Sequence, residues 1–151
     1  MVIKVTSKVF GEGDPIPDRY ACKGVNVSPP LEWEAVHGAF KYAIICEDPD
    51  APSGTWTHWV IFNLPSDTIM VDEWVMEREE LENGGKQGFN DFGTIGYRGP
   101  CPPDGTHRYY YKVYALDIEI QLPAKITKVD LLKAMNGHIL DKGQLMGRYT
   151  R

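Results

Sequence analysis

The sequence lacks the features that define several large classes of protein. No apolar run approaches the ~20 residues that a membrane-spanning helix needs, and Met1 to Phe10 alternate in polarity instead of forming the apolar core of a signal peptide. Lys and Arg form no cluster that would follow a nucleic-acid backbone, and the formal net charge is -5 at pH 7. We therefore expect no transmembrane segment, no nucleic acid as a partner and a cytoplasmic location.

Cysteine is scarce and irregularly spaced. The chain has three, Cys22, Cys46 and Cys101, and no CxxC pair. An odd number with this spacing argues against both a disulfide framework and a thiolate zinc site. Because disulfides are rare in the cytosol, we expect all three cysteines to be reduced.

The motifs of common catalytic and cofactor sites are also missing. No Ser stands in a GxSxG elbow, prolines flank Cys101, and neither a P-loop nor a Rossmann fingerprint is present. The histidines show none of the tight spacings of metal ligands. We therefore expect no enzymatic activity, no catalytic residue, no metal and no cofactor. A hydrolase built on Asp48 and His107 is the weakest alternative, because it lacks a nucleophile.

Proline and glycine, in contrast, are plentiful. The 11 prolines and 15 glycines separate short runs rich in β-branched and aromatic residues, which is typical of a sandwich or a barrel of short strands. The predicted strands cover residues 2–7, 40–47, 58–64, 107–116 and 145–149. Residues 72–93, which begin with an acidic stretch, predict a loop. No linker interrupts the 151 residues, so we expect one domain over residues 1–151.

One helix is predicted near the carboxy terminus. Thr127 and Asp130 have the spacing of a capping box. Apolar residues then recur near the helical period, namely Val129, Leu132, Met135, Ile139 and Leu140. This pattern predicts a helix over residues 128–141 that is ended by Gly143.

Two carboxylates follow directly after the strand predicted over residues 40–47. The prolines of Asp48-Pro49-Asp50-Ala51-Pro52 cannot continue ladder pairing, so Asp48 and Asp50 should lie in a rigid loop at a strand end. Alternation places Asp48 on the same strand face as Cys46. The alternative is that both Asp residues only bond to the backbone of their own turn.

A histidine opens the next predicted strand. Alternation places His58 on the face of Val60 and Phe62. Beside an Asp, its imidazole would hold a defined tautomer and a raised pKa. The alternative is an ordinary half-buried histidine. Trp56 is a candidate pocket wall, although a single Trp more often serves packing.

The third candidate segment covers residues 96–109. Three prolines and three glycines between Gly96 and Gly105 predict an irregular loop whose N–H groups can face an anion. His107 and Tyr109 then share one face of a strand, and Arg108 points away. If the three segments converge, their carboxylates, imidazoles, phenol and backbone donors suit a phosphate or carboxylate group. Otherwise this segment is a rigid turn before an aromatic strand.

Four motifs resemble one known family. They are DPDAP at residues 48–52, the HW pair His58 and Trp59, GPCPPDGTHRY at residues 99–109, and GHIL followed by GQLMGRYTR at the carboxy terminus. In this order they resemble the phosphatidylethanolamine-binding protein family, also called the Raf kinase inhibitor protein family, in its compact bacterial and archaeal branch.

The resemblance implies a fold, a site and a function. The fold would be mainly β, an antiparallel β-sandwich with one carboxy-terminal helix and minor helical turns. The function would be non-catalytic binding of a phosphate-type group carried by a phospholipid head group, a small molecule or a protein segment. The implied ligand-binding residues, with Trp56 and Cys101 at the rim, are Asp48, Asp50, Pro52, Trp56, His58, Cys101, Pro103, His107 and Tyr109. The alternative partner is a proteinase or a kinase, inhibited through surface loops such as residues 72–93.

Overall fold

A five-stranded antiparallel sheet forms the centre of the protein, whose computed structural model describes residues 2–151. In chain order the strands and the helix are β1 (Leu31–Glu32), β2 (Lys41–Asp48), β3 (Trp56–Pro65), β4 (Met70–Val71), β5 (Lys86–Gln87), β6 (Thr106–Leu116), α1 (Lys128–Met135) and β7 (Ile139–Thr150). The central sheet has the order β5-β3-β2-β6-β7, and β1 pairs with β4 in a second sheet. A single 3₁₀ turn covers Asp18–Tyr20. The predicted mainly β fold with one carboxy-terminal helix is confirmed.

Both faces of the central sheet are buried, and this explains the continuous apolar runs of its strands. In β2, Tyr42 and Ile44 belong to one core, whereas Ala43 and Ile45 belong to the other. The first core packs the sheet against the amino-terminal third of the chain and the small sheet. The second core lies under α1 and residues 118–126. Side-chain alternation thus assigns each strand residue to one of two separate cores.

The helix is shorter than predicted, although its amino-terminal cap is as expected. The Thr127 side chain accepts from the Asp130 N–H, and the Asp130 side chain accepts from the Thr127 N–H. The predicted end at Gly143 is wrong, since α1 ends at Met135 and Gly137 follows with a φ of +84°. Glycine adopts this left-handed conformation without steric cost, so the chain leaves the helix there.

The apolar face assigned to the helix is correct only at Met135. Leu131 and Met135 are the buried helical residues, whereas Val129 and Leu132 are exposed. Residues 139–150, part of which the helix was expected to include, form β7 and pair with β6 along its length. The predicted final strand over residues 145–149 is therefore real, but it is 12 residues long.

The first predicted strand does not form, although its alternation is correct. Ile3 and Val5 are buried and Lys4 is exposed. Val2 makes an isolated bridge to Lys142 of β7, whereas Thr6 makes one to Glu32 of β1. Because the two ends of this segment pair with different sheets, it connects the sheets instead of extending either of them.

The segment predicted as a loop over residues 72–93 is largely irregular, as expected, and contains only the short strand β5. Within residues 2–151, no helix has both the length and the apolarity to cross a membrane.

Candidate functional site

A small pocket opens where β2 ends and where β3 and β6 begin. It has a volume of about 200 Å³. Eight of the nine residues that the resemblance implied line it together with four others, so that the lining consists of Asp48, Ala51, Pro52, Ser53, Trp56, His58, Phe92, Cys101, Pro102, Pro103, His107 and Tyr109. Pro103 and Trp56 thus stand beside the polar groups of the pocket. Strand pairing brings the three predicted segments to one end of the sheet.

One residue that the resemblance implied, Asp50, does not line the pocket. Instead, Arg108 engages both oxygens of its carboxylate. Oδ2 accepts from the backbone N–H and Nε of Arg108, each at 2.9 Å, and Oδ1 accepts from Nη2 at 2.7 Å. Hydrogen bonding to this guanidinium lowers the pKa of Asp50 to about 2. Asp50 therefore anchors the loop after β2 to β6.

Asp48 and His107 form a buried pair at the base of the pocket. The distance between Nδ1 of His107 and Oδ2 of Asp48 is 2.6 Å. The other oxygen, Oδ1, accepts the backbone N–H of Asp50 at 2.7 Å. Because an ionised carboxylate only accepts, Nδ1 of His107 carries the hydrogen. Nε2 is then the ring nitrogen that remains for a ligand.

His58 reaches the pocket through a β-bulge. Cys46 pairs with Trp59, and the next residue, Glu47, pairs with Thr57, so His58 is an extra residue in β3. The predicted placement of His58 on the face of Val60 is therefore wrong. Instead its ring lies edge-on to Tyr109, with the ring centroids 5.2 Å apart. A bulge redirects a side chain in this way, and no alternation pattern reveals it.

The second imidazole is also fixed through Nδ1. It lies 2.5 Å from the backbone oxygen of Arg98, which can only accept, so Nδ1 of His58 carries the hydrogen. The expected tautomer is thus defined. The raised pKa that was expected is wrong, because burial lowers the pKa of His58 more than the Arg98 oxygen, Asp48 and Asp91 raise it. His58 is 2% exposed, and desolvation penalises its charged form.

Two further polar groups stand at the pocket. Burial raises the pKa of Tyr109, and the nearby Asp48 raises it further, so its hydroxyl stays protonated. Trp56 packs edge-on against Phe92. Its buried Nε1 has no hydrogen-bond partner within the part of the chain that the structure describes. A ligand oxygen that reached this N–H would remove the cost of leaving it unpaired.

The rim loop that contains Cys101 is tied to the segment after the 3₁₀ turn. Cys101 forms a disulfide with Cys22, with the Cα atoms 5.4 Å apart and 79 positions between them in sequence. The expectation that all cysteines are reduced is therefore wrong, and among residues 2–151 only Cys46 is free. The loop also packs so closely that a Cβ on Gly99 would lie 1.9 Å from the Tyr20 oxygen. The cytoplasmic location stays a prediction. The disulfide removes one argument for it, which was that all three cysteines are reduced.

Several lining residues were not singled out from the sequence. Ala51, Ser53 and Pro102 lie beside predicted residues, but Phe92 comes from the segment that was predicted to be a solvated loop. Asp91 holds it there, because its Oδ2 accepts the Thr57 N–H at 2.7 Å and its own N–H donates to the Thr57 oxygen at 2.8 Å. An aromatic residue within a polar loop is the only sequence signal that pointed to Phe92.

No cluster of three or more His, Cys, Asp or Glu side chains suited to a metal ion occurs among residues 2–151. Each of the two imidazoles in the pocket is instead hydrogen-bonded through Nδ1 to one oxygen acceptor. Chemically the pocket offers two Nε2 atoms, a phenol and an indole N–H, which together suit a compact group with several oxygens.

Known proteins are similar to this chain in both sequence and fold. The family described as phosphatidylethanolamine-binding protein matches residues 6–150. A UPF0098 protein of Methanothermobacter thermautotrophicus is 49% identical over 150 residues, which cover 99% of each chain. A Chlamydia trachomatis homolog of phosphatidylethanolamine-binding protein has a TM-score of 0.91 at 40% identity, over 99% of this chain and 98% of that chain. YbcL of E. coli has a TM-score of 0.92 at 29% identity, over 100% and 99%.

Proposed function

This chain belongs to the phosphatidylethanolamine-binding protein family, and on that premise we propose that its pocket binds a phosphate-type anionic group without transforming it. The group would belong to a phospholipid head group, a phosphorylated small molecule or a phosphorylated protein segment. The observation that carries the proposal is that His58 and His107 both have Nδ1 occupied by an oxygen acceptor. Each ring therefore has Nε2 left for the ligand.

The fixed tautomers set a condition on the ligand. In a neutral ring with hydrogen on Nδ1, Nε2 carries a lone pair and repels an anionic oxygen. Once protonated, the same nitrogen donates a charge-assisted hydrogen bond, which is roughly twice as strong as a neutral one. A phosphate can also bring the proton itself as a P–OH group. In either case the bound state contains a proton between Nε2 and the ligand oxygen.

The size and lining of the pocket favour a small head group. Its volume of about 200 Å³ is below the roughly 300–1,000 Å³ of sites for drug-sized ligands. Pro52, Pro103 and Phe92 can contact an apolar part of the ligand. No Lys or Arg is part of the lining, so any positive charge in it comes from the two imidazoles.

Three features support binding without catalysis. The sulfur of Cys101 is bonded to Cys22 and so cannot form a thiolate. Both carboxylate oxygens of Asp48 already accept hydrogen bonds. The remaining thiol, Cys46, is fully buried, and burial raises its pKa well above the ordinary value. None of these groups is an activated nucleophile.

Calorimetry with phosphoethanolamine tests the proposal. Removing one charge-assisted contact costs about 1.5–3 kcal/mol, so His58→Gln and His107→Gln should each weaken binding by about tenfold or more. The matched control is His138→Gln, since His138 pairs with Asp117 on the surface and lies outside the pocket. If both pocket variants bind as tightly as the control, the phosphate site is elsewhere. The inhibitor alternative, acting through surface loops, then becomes the better hypothesis.

A further inference from the structure

A second, larger concavity lies between β4 and residues 72–83, and we name it the acidic groove. Its volume is about 700 Å³, and it shares no residue with the phosphate pocket. Apolar side chains form its exposed surface, and carboxylates surround them. The lining includes the apolar residues Ile69, Met70, Trp74 and Met76 and the acidic residues Asp67, Asp72 and Glu82.

Trp74 has an unusual backbone conformation. Its φ is +67°, which favours glycine, and the other non-glycine residues with positive φ in the described chain are Asn26, Asn63 and Lys125. Asparagine tolerates this region, whereas a bulky residue there is an outlier that the surrounding structure must enforce. The strain directs an indole to the surface, where 58% of Trp74 is exposed.

Named contacts hold this conformation in place. The backbone oxygen of buried Ser28 accepts the Trp74 N–H at 2.9 Å, and its Oγ accepts the Val75 N–H at 3.0 Å. One residue earlier, Glu73 accepts from Arg19 at 2.8 Å and from the Tyr20 hydroxyl at 2.6 Å. The groove wall is therefore preformed, and a partner would not have to order it on binding.

The composition of the groove is typical of an interface. Among residues 2–151, twelve large hydrophobic residues are exposed, and four of them lie here: Trp74, Met76 at 62% exposure, Ile69 at 50% and Met70 at 42%. Tryptophan and methionine are enriched at protein interfaces, and Trp is a frequent hot spot. Arg19 already stands over the Trp74 ring, 5.6 Å from its centroid, and so shows that this ring accepts a cation.

Charge decides which partner fits. The groove is lined by four carboxylates and by no Lys or Arg. Glu73 is paired with Arg19, whereas Asp67, Asp72 and Glu82 take part in no salt bridge between residues that the structure describes. A second copy of this chain, with net charge -5, would bring acidic surface against acidic surface.

We propose that the acidic groove is the docking site for a segment of another protein whose apolar side chains are flanked by Lys or Arg. The apolar side chains contact Trp74 and Met76, and the flanking cations face Asp72 and Glu82. This site is separate from the phosphate pocket and does not depend on it.

The proposal can be tested by measuring the binding of two pools of labelled dodecapeptides to the full chain by fluorescence anisotropy. The two pools have equal apolar content. One pool carries Lys and Arg at its charged positions, and the other carries Asp and Glu. We expect the basic pool to bind at least tenfold more tightly, and this preference to weaken as salt is added. Trp74→Asn should reduce its binding at least tenfold while keeping the melting temperature, because Asn accepts a positive φ.

Matched variants separate the groove from general surface effects. Asp72→Asn combined with Glu82→Gln should also lose binding, whereas Asp104→Asn on the rim loop and Val129→Ser on α1 should not. His107→Gln should leave peptide binding unchanged, because His107 lies in the phosphate pocket. Failure of the phosphate proposal can therefore be distinguished from failure of the groove proposal. Equal binding of the two pools, or full binding by Trp74→Asn, overturns the proposal. So does a dimer in sedimentation that Trp74→Asn abolishes, since the occupant would then be a second copy.

Discussion

Asp48 accepts a hydrogen bond from Nδ1 of His107 at 2.6 Å, although 59 positions separate the two residues in sequence. The antiparallel pairing of β2 with β6 brings them together, because Glu47 stands opposite Tyr110 at the same end of the sheet. Both side chains are buried. The pair therefore fixes the imidazole that the proposed ligand contacts and also stabilises the end of the sheet.

The first prediction concerns this pair. Asp48→Asn replaces a charge-assisted hydrogen bond by a neutral one in a buried site, so the free energy of unfolding should fall by about 1.5–3 kcal/mol. Urea unfolding measures it, with Asp104→Asn in an exposed loop as the control. Nitrogen NMR should also show that His107 no longer holds its hydrogen on Nδ1 alone. An unchanged midpoint and tautomer would show that Asp48 does not position this ring.

The second prediction is that anion affinity falls as pH rises. Burial keeps the pKa of His58 below its ordinary value in the free protein, and a bound anion raises that pKa. Binding therefore takes up a proton at every pH between the pKa of His58 in the free protein and its pKa in the complex. For each proton taken up, the affinity should fall by up to about tenfold per unit increase in pH.

Inorganic sulfate is the suitable probe for this effect, because its charge does not change between pH 6 and pH 8. Calorimetry in two buffers of different ionisation enthalpy counts the protons taken up. His58→Gln should reduce that number. Equal sulfate affinity at pH 6 and pH 8 would contradict the proton-coupled site.

The third prediction concerns the bridge between Cys22 and Cys101. The double variant Cys22→Ser/Cys101→Ser should lose about 2–4 kcal/mol of unfolding free energy, which is typical for removal of a disulfide. Phosphoethanolamine binding should weaken only in part, since the Asn26 side chain still accepts the Gly99 N–H at 2.7 Å. A reductant should destabilise the wild type and leave the variant unaffected. If it affects both equally, the bridge is not the cause.

The fourth prediction concerns stability in acid. The Arg108 guanidinium lowers the pKa of Asp50 from 3.8 to about 2, so the unfolded chain binds this proton first as pH falls. The stabilisation is fully present above about pH 4 and should be lost progressively towards pH 2. Unfolding measured from pH 5 to pH 2 should show the wild type losing its advantage over Asp50→Asn in this range. A constant difference would mean that Asp50 stabilises the loop without its charge.

Much of the candidate site could be predicted because it lies on regular strands. Alternation along β6 places His107 and Tyr109 together and Arg108 outside, as the structure shows. The prolines after β2 mark the strand end where Asp48 stands. Asp50 was expected in the pocket but does not line it. The prolines predict that its carboxylate lies in a loop, but they do not indicate which residue pairs with it. Arg108 stands close enough only after β2 and β6 have paired.

The central strands, the capping box at Thr127 and the strand ends that carry the polar groups could be predicted from the sequence, because each depends on residues a few positions apart. The tertiary structure alone decided that His58 enters the pocket through a bulge, and that Cys22 reaches Cys101 across 79 positions. It also decided the conformation of Trp74, which Ser28 enforces. These features depend on contacts between segments that are distant in sequence, which only the folded chain brings together.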